Sequence, residues 1–101
     1  MSIIITIDEL KQKMEKGEHL ALIDVRETWE YEQGHLKNSV NIPVSNFTHS
    51  SFNLDIPKDT TIITICEHGI RSLYAANTLE KKGYKAFSMQ GGMSEWTGPV
   101  E

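Results

Sequence analysis

The chain is most informative in what it has little of. Among 101 residues there is one cysteine, Cys66, so no internal disulfide can form. The four histidines, His19, His35, His49 and His68, show none of the paired spacings of a structural zinc site, and no metal is expected. Aromatic residues are 8% of the chain, and its two tryptophans are not interleaved with basic residues as in single-strand binders. Ten basic residues stand against fourteen acidic ones, a net charge of −4, and no basic stripe marks a nucleic-acid or anionic-membrane surface. No apolar run approaches the roughly 18 residues of a membrane-spanning helix. The N-terminal run Met1–Ile7 has no positive flank and is interrupted by Asp8-Glu9, unlike a signal peptide. The expectation is a cytoplasmic protein that meets neither nucleic acid nor membrane.

What is present is ordinary soluble usage, 39% apolar and 24% charged, with room for one domain over residues 1–101. Such a domain buries roughly 60–70% of its unfolded surface, enough for one modest core without staples. No repeat or linker interrupts it. Ile3–Ile5 reads as a strand. Asp8 to Lys16 reads as a helix, capped near Thr6 or Asp8 and stopped by Gly17. Leu20–Val25 is a near-continuous apolar strand of the kind buried on both faces of a parallel sheet. Glu27 to Gln33 reads as a short helix ended by Gly34, and Val40–Ile42 as a strand closed by Pro43. One helical turn is expected within Ser45–Asn53. Thr61–Ile65 is a second buried strand. A helix follows over Ser72–Lys82, with Leu73, Ala76 and Leu79 on one face and Gly83 as its stop. Lys85–Ser88 reads as a strand, and Gly91-Gly92 opens a last turn through Trp96. This alternation predicts an α/β domain with a mostly parallel central sheet flanked by helices.

Ligands of such sheets bind beyond the carboxyl ends of the strands, which selects the loops after Val25 and after Ile65. The second contains the cysteine. A lone cysteine is most often core packing, but the segment Cys66-Glu67-His68-Gly69-Ile70-Arg71-Ser72 argues otherwise. It runs from the end of a buried strand through a short loop into a helix start. Successive N–H groups in a tight loop form an anion-binding nest, and the helix start adds partial positive charge. Gly69 permits the positive φ of a curled loop. Arg71 adds a permanent cation at the rim. Together these favour the thiolate, the reactive form of cysteine.

The same stretch resembles the active-site loop of rhodanese domains, a C-x-x-G-x-R-S pattern. Asp24-Val25-Arg26-Glu27, Gly34-His35-Leu36 and Asn41-Ile42-Pro43 resemble the family's first signature, and Gly91-Gly92-Met93-Ser94-Glu95-Trp96 its closing G-G-x-x-x-W element. The motifs stand in the family's order and cover nearly the whole chain. The resemblance implies a single rhodanese-like domain that moves a sulfane sulfur from a donor such as thiosulfate to cyanide, a thiol or a protein acceptor. It carries Cys66 over as the persulfide-forming nucleophile. Glu67, His68, Gly69, Ile70 and Arg71 become the cradle, and Ser72 the helix-opening position. No organic cofactor is implied. Asn38-Ser39 replaces a pair that often begins with glycine, and asparagine tolerates the left-handed backbone best after glycine.

Two alternatives remain. Cys-dependent phosphatases and arsenate reductases share this fold but use a longer loop, whereas only four residues separate Cys66 from Arg71. A sulfur-relay or non-catalytic interaction module is the other, and retention of Cys66 argues against loss of chemistry. Asp24 and Arg26 are expected to hold their loop rather than to catalyse, His35 to be a hydrogen-bonded turn residue, and Trp29 and Trp96 to be packing residues. His68 could face the donor or solvent.

Overall fold

The computed structural model describes residues 3–101; Met1 and Ser2, the start of the apolar N-terminal run, lie outside the described residues. Five strands, β1 (Ile4–Ile5), β2 (Leu20–Asp24), β3 (Val40–Asn41), β4 (Thr61–Ile65) and β5 (Lys85–Met89), form one sheet in the order β1-β5-β4-β2-β3. Every neighbouring pair is parallel, so the sheet is fully rather than mostly parallel. The helices are α1 (Ile7–Glu15), α2 (Thr28–Glu32) and α3 (Ile70–Lys81).

The central strand β4 explains the layers. Side chains of a strand alternate between faces. Ile62 joins Ile23, Val25, Phe47, Ala75, Ala76, Leu79 and Ala86 in the core on the α3 side. Ile63 and Ile65 join Leu10 of α1, Leu22, Leu36 and Met89 on the other. Both faces are covered, so the strand reads as an unbroken apolar run. The same alternation puts Thr64 and then Cys66 on the α3 side, under the first turn of that helix.

Boundaries differ from expectation where local chemistry is specific. Thr6 caps α1 in a reciprocal box with Glu9, so the helix begins at Ile7. The segment expected to hold one helical turn is a 3-10 stretch over Val44–Thr48, which buries Phe47. Asn38 adopts φ 68°, the left-handed turn its side chain tolerates. The largest correction is at α3, which starts at Ile70, two residues before the expected Ser72. Gly69, at φ 96°, is its N-cap, a conformation that suits glycine. Ile70, Arg71 and Ser72 are therefore first-turn residues of a helix.

Candidate active site

Cys66 ends the run of β4 with only 1% of its surface exposed. Its Sγ accepts hydrogen bonds from the Gly69 N–H at 3.0 Å and the Ser72 N–H at 3.3 Å. The Ser72 Oγ lies 3.3 Å from Sγ. Backbone donors aimed at one sulfur are what a thiolate requires, because they place fixed partial positive charge on it without a mobile counter-ion. The N–H groups of Glu67, His68, Ile70 and Arg71 have no acceptor among the described residues. For Ile70 and Arg71 this follows from their place in a helix's first turn.

The orientation of the loop is imposed from outside it. Met93 N–H donates to the Cys66 carbonyl at 2.8 Å, and Ser94 N–H to the Glu67 carbonyl at 2.9 Å. In a planar trans peptide the carbonyl and the following N–H point opposite ways. Drawing those two carbonyls toward the Gly91–Ser94 turn therefore turns the Glu67 and His68 N–H groups away from it. The close approach needs Gly92. A Cβ there would sit 2.5 Å from the Cys66 carbonyl oxygen and nearer still to that of Glu67. This is the structural content of the closing G-G motif.

A charge network flanks the loop. Buried Asp24 and Arg26, at the carboxyl end of β2, form a forked pair: Arg26 Nε donates to Asp24 Oδ1 at 3.0 Å and Nη2 to Oδ2 at 2.9 Å. Nη2 also donates to the Gly34 carbonyl at 2.7 Å, and Nη1 to Glu67 Oε1 at 3.3 Å. Burial disfavours the Arg26 cation, but the hydrogen bonds and charge of Asp24, with the charges of Glu67 and Glu30, outweigh it and raise its pKa. The expectation that these residues hold a loop is met, and the link to Glu67 extends their reach to the cysteine loop. That link joins residues 41 apart and has no local sequence signal.

Arg71, the permanent cation expected at the rim, is paired there. Its guanidinium forks onto Glu30 of α2, Nη1 to Oε1 at 2.7 Å and Nη2 to Oε2 at 2.9 Å. Those bonds push the Glu30 carboxyl down from 4.5 to about 2, against the opposing effect of burial. Arg71 holds its proton more firmly than usual, first through the hydrogen bonds to Glu30, with the charges of Glu30 and Cys66 adding. It is near the sulfur, yet its fork is filled.

The remaining expected site residues separate by exposure. His68 is exposed, facing solvent. Ile70 is 79% exposed, so only its backbone N–H is available to the loop. Ser72 is fully buried beneath the sulfur. His35 stacks on Tyr31 at 3.7 Å with its Nδ1 2.9 Å from the Tyr31 carbonyl, a turn residue as expected. Trp96 packs against the α1 side of the core. Trp29 corrects its expectation: α2 buries none of its residues, and Trp29 stands 63% exposed. It lines a cleft of about 490 Å³ with Glu30, Gln33, Glu67, Met93 and Val100 beside the cysteine loop. Val100 is held there because Glu101 and His35 exchange two backbone hydrogen bonds.

Residues 6–99 match the rhodanese-like domain family, and the chain belongs to that family. It is 36% identical over 92 residues to "Putative sulfurtransferase YtwF" of Bacillus subtilis, covering 91% of this chain and 87% of that protein. It is 37% identical over 98 residues to "Putative sulfur carrier protein YrkF" of the same organism, covering 96% of this chain but 52% of YrkF, so the chain spans about half of that relative. A rhodanese-like domain protein of Staphylococcus aureus superposes with a TM-score of 0.82 at 32% identity, covering all of this chain and 97% of the other. These relatives support sulfur transfer as the general chemistry. Among the described residues no helix is long and apolar enough to cross a membrane.

Proposed function

We propose that the protein is a sulfurtransferase in which Cys66 carries the moving sulfur as a persulfide. The observation that carries this reading is the buried Sγ held by the Gly69 and Ser72 N–H groups, with further N–H groups in the same loop that have no acceptor among the described residues. The Cys66 thiolate attacks the outer sulfur of a donor such as thiosulfate. The new S–S bond forms as the old one breaks, and sulfite leaves with the electron pair. The loop N–H groups hold the negative outer sulfur. A nucleophile, cyanide in assay or a thiol or protein acceptor, attacks that sulfur and returns the electron pair to Sγ. This is covalent catalysis by an activated nucleophile. No metal or organic cofactor enters the sequence of steps.

The phosphatase reading is weaker. A tetrahedral oxyanion needs a larger cradle and an arginine fork free to clasp it. Here the loop is short and the Arg71 fork is occupied by Glu30. A relay role within a larger pathway uses the same chemistry and differs only in the acceptor.

The test is intact mass after incubation with thiosulfate. The protein should gain the mass of one sulfur atom and lose it on adding cyanide, with thiocyanate released. Absence of the adduct, or the same adduct on Cys66→Ala, would overturn the reading.

A further inference from the structure

Behind Cys66 the structure holds a buried pair of hydroxyls, Ser72 of the cysteine loop motif and Ser88, which no sequence motif includes. Register and alternation place it there. Thr64 of β4 pairs with Ser88 of β5, and Ser88 shares its face with Ala86, a core residue on the α3 side. Ser88 is 2% exposed, and its Oγ lies 2.7 Å from the Ser72 Oγ, which in turn lies 3.3 Å from Cys66 Sγ. The line runs Ser88, Ser72, Cys66.

Counting protons ties the direction of this line to the charge on the sulfur: a thiol can donate to the Ser72 Oγ, whereas a thiolate can only accept. Each serine hydroxyl has one proton to donate. The Ser88 hydroxyl has one partner among the described residues, the Ser72 Oγ. If Ser88 donates to Ser72, the Ser72 proton is left with Sγ as its acceptor. A thiolate sulfur then receives the Gly69 and Ser72 N–H groups and, across the same 3.3 Å separation, the Ser72 O–H. That set suits an anion. A neutral S–H that donates to Ser72 reverses the line: Ser72 must then donate to Ser88, and the Ser88 proton has no acceptor in a buried site. A buried donor without a partner is unfavourable. No such reversal follows for the thiolate.

We propose that Ser88 is a positioning residue that, acting through Ser72, biases Cys66 toward the thiolate. The inference rests on Cys66 being the nucleophile of the proposed reaction. It serves both half-reactions, since Sγ attacks as a thiolate and leaves as one. The charged and titratable groups near the cysteine loop come from other quarters: Arg71 of α3 with Glu30 of α2 and Glu27 just before it, Asp24 at the end of β2 with Arg26 beyond it, and Glu67 and His68 of the loop itself. None of them is in the hydroxyl line, and their pairings are unchanged by removing one hydroxyl at Ser88.

The experiment is the pH dependence of iodoacetamide alkylation. Cys66 is the only thiol, so the rate reports on it alone, with no need for sulfur transfer. Ser88→Ala should move the profile to higher pH and slow alkylation at neutral pH by roughly tenfold. In a Ser72→Ala background the same change should move the profile no further, because the link is already cut. Ser88→Thr and Ser88→Val guard against a packing effect, being alike in size. The threonine variant should keep the native profile and the valine variant should shift it. An unshifted Ser88→Ala profile, an equal shift in the Ser72→Ala background, or identical threonine and valine profiles would overturn the proposal. Persulfide formation by mass in the native protein tests the sulfurtransferase reading separately.

Discussion

Two loops leave the carboxyl ends of adjacent parallel strands, and they use their residues in opposite ways. After β2, Asp24 and Arg26 face each other at hydrogen-bonding distance and are buried together. After β4, the polar work is done by backbone N–H groups around one sulfur, while the loop's own charged side chain, Glu67, turns to Arg26. The charged loop spends its side chains on ion pairs, one of which braces its neighbour through Glu67, and the loop that relies on backbone donors is the reactive one. Catalysis needs donors that are fixed yet unspent, and a forked ion pair is spent in its own geometry. Charged residues at a strand end are therefore weaker evidence of catalysis than a glycine-bearing loop before a helix.

The comparison breaks most completely at the sulfur. Cys66→Ala should abolish thiosulfate:cyanide transfer while leaving the far-ultraviolet circular dichroism and thermal melt near native. Clear residual turnover in the purified variant would remove Cys66 from the chemistry. On the β2 side, Arg26→Ala should act on stability first. It leaves the Asp24 carboxylate buried without its partner, a loss of about 3–5 kcal/mol for a pair of this kind. Denaturant titration measures it. Arg26→Lys should recover little, since an ammonium cannot reproduce the fork. A variant as stable as native would show that the charged loop does not hold the site.

The third break is at the turn that sorts the cysteine loop. Gly92 has φ 66° and ψ −166°, and a side chain there meets the Cys66 and Glu67 carbonyls. Gly92→Ala should destabilise by about 3 kcal/mol, combining backbone strain and overpacking. It should also slow transfer more than tenfold, through loss of the Met93 and Ser94 bonds that orient the cradle. A melt that falls with unchanged kinetics would mean the cradle orients itself.

How much of this was legible beforehand depends on the range of the interaction. The buried strands β2 and β4 were plain because burial on both faces leaves an apolar run. Gly69 was legible as a positive-φ residue, but not as the N-cap, so α3 was expected to start two residues late. Trp29 was misjudged because a five-residue helix at the surface has no periodicity to show which face is covered. The Arg26–Glu67 and Arg71–Glu30 pairs each join residues 41 apart, so no local pattern announces them. Ser88 had a usable signal, the parity it shares with Ala86 on a parallel strand, but recognising it required the register with Thr64.

The smallest expected effect sharpens the comparison at its boundary, where Arg71 of the reactive loop's helix is held by Glu30. If that pairing is what keeps Arg71 from the donor, loosening it should help an anionic substrate. Glu30→Gln keeps the side-chain shape and removes the charge. The KM for thiosulfate should fall about two- to fivefold, while that for an uncharged organic trisulfide stays unchanged. The same change should remove an acid-sensitive part of the stability. The Glu30 carboxyl is pushed down from 4.5 to about 2, chiefly by its hydrogen bonds to Arg71. Its contribution is therefore full above pH 4.5 and fades as pH falls toward about 2. Arg71 is about one-third exposed, so solvent screening holds the contribution to about 1 kcal/mol. Native and variant stabilities, measured by denaturant titration at neutral and acid pH, should differ by that amount at neutral pH and converge on acidification. Equal KM changes for charged and neutral donors would show that Arg71 only pins α2 to α3. A stability gap unaltered by pH would place the effect in packing rather than in the charge of Glu30.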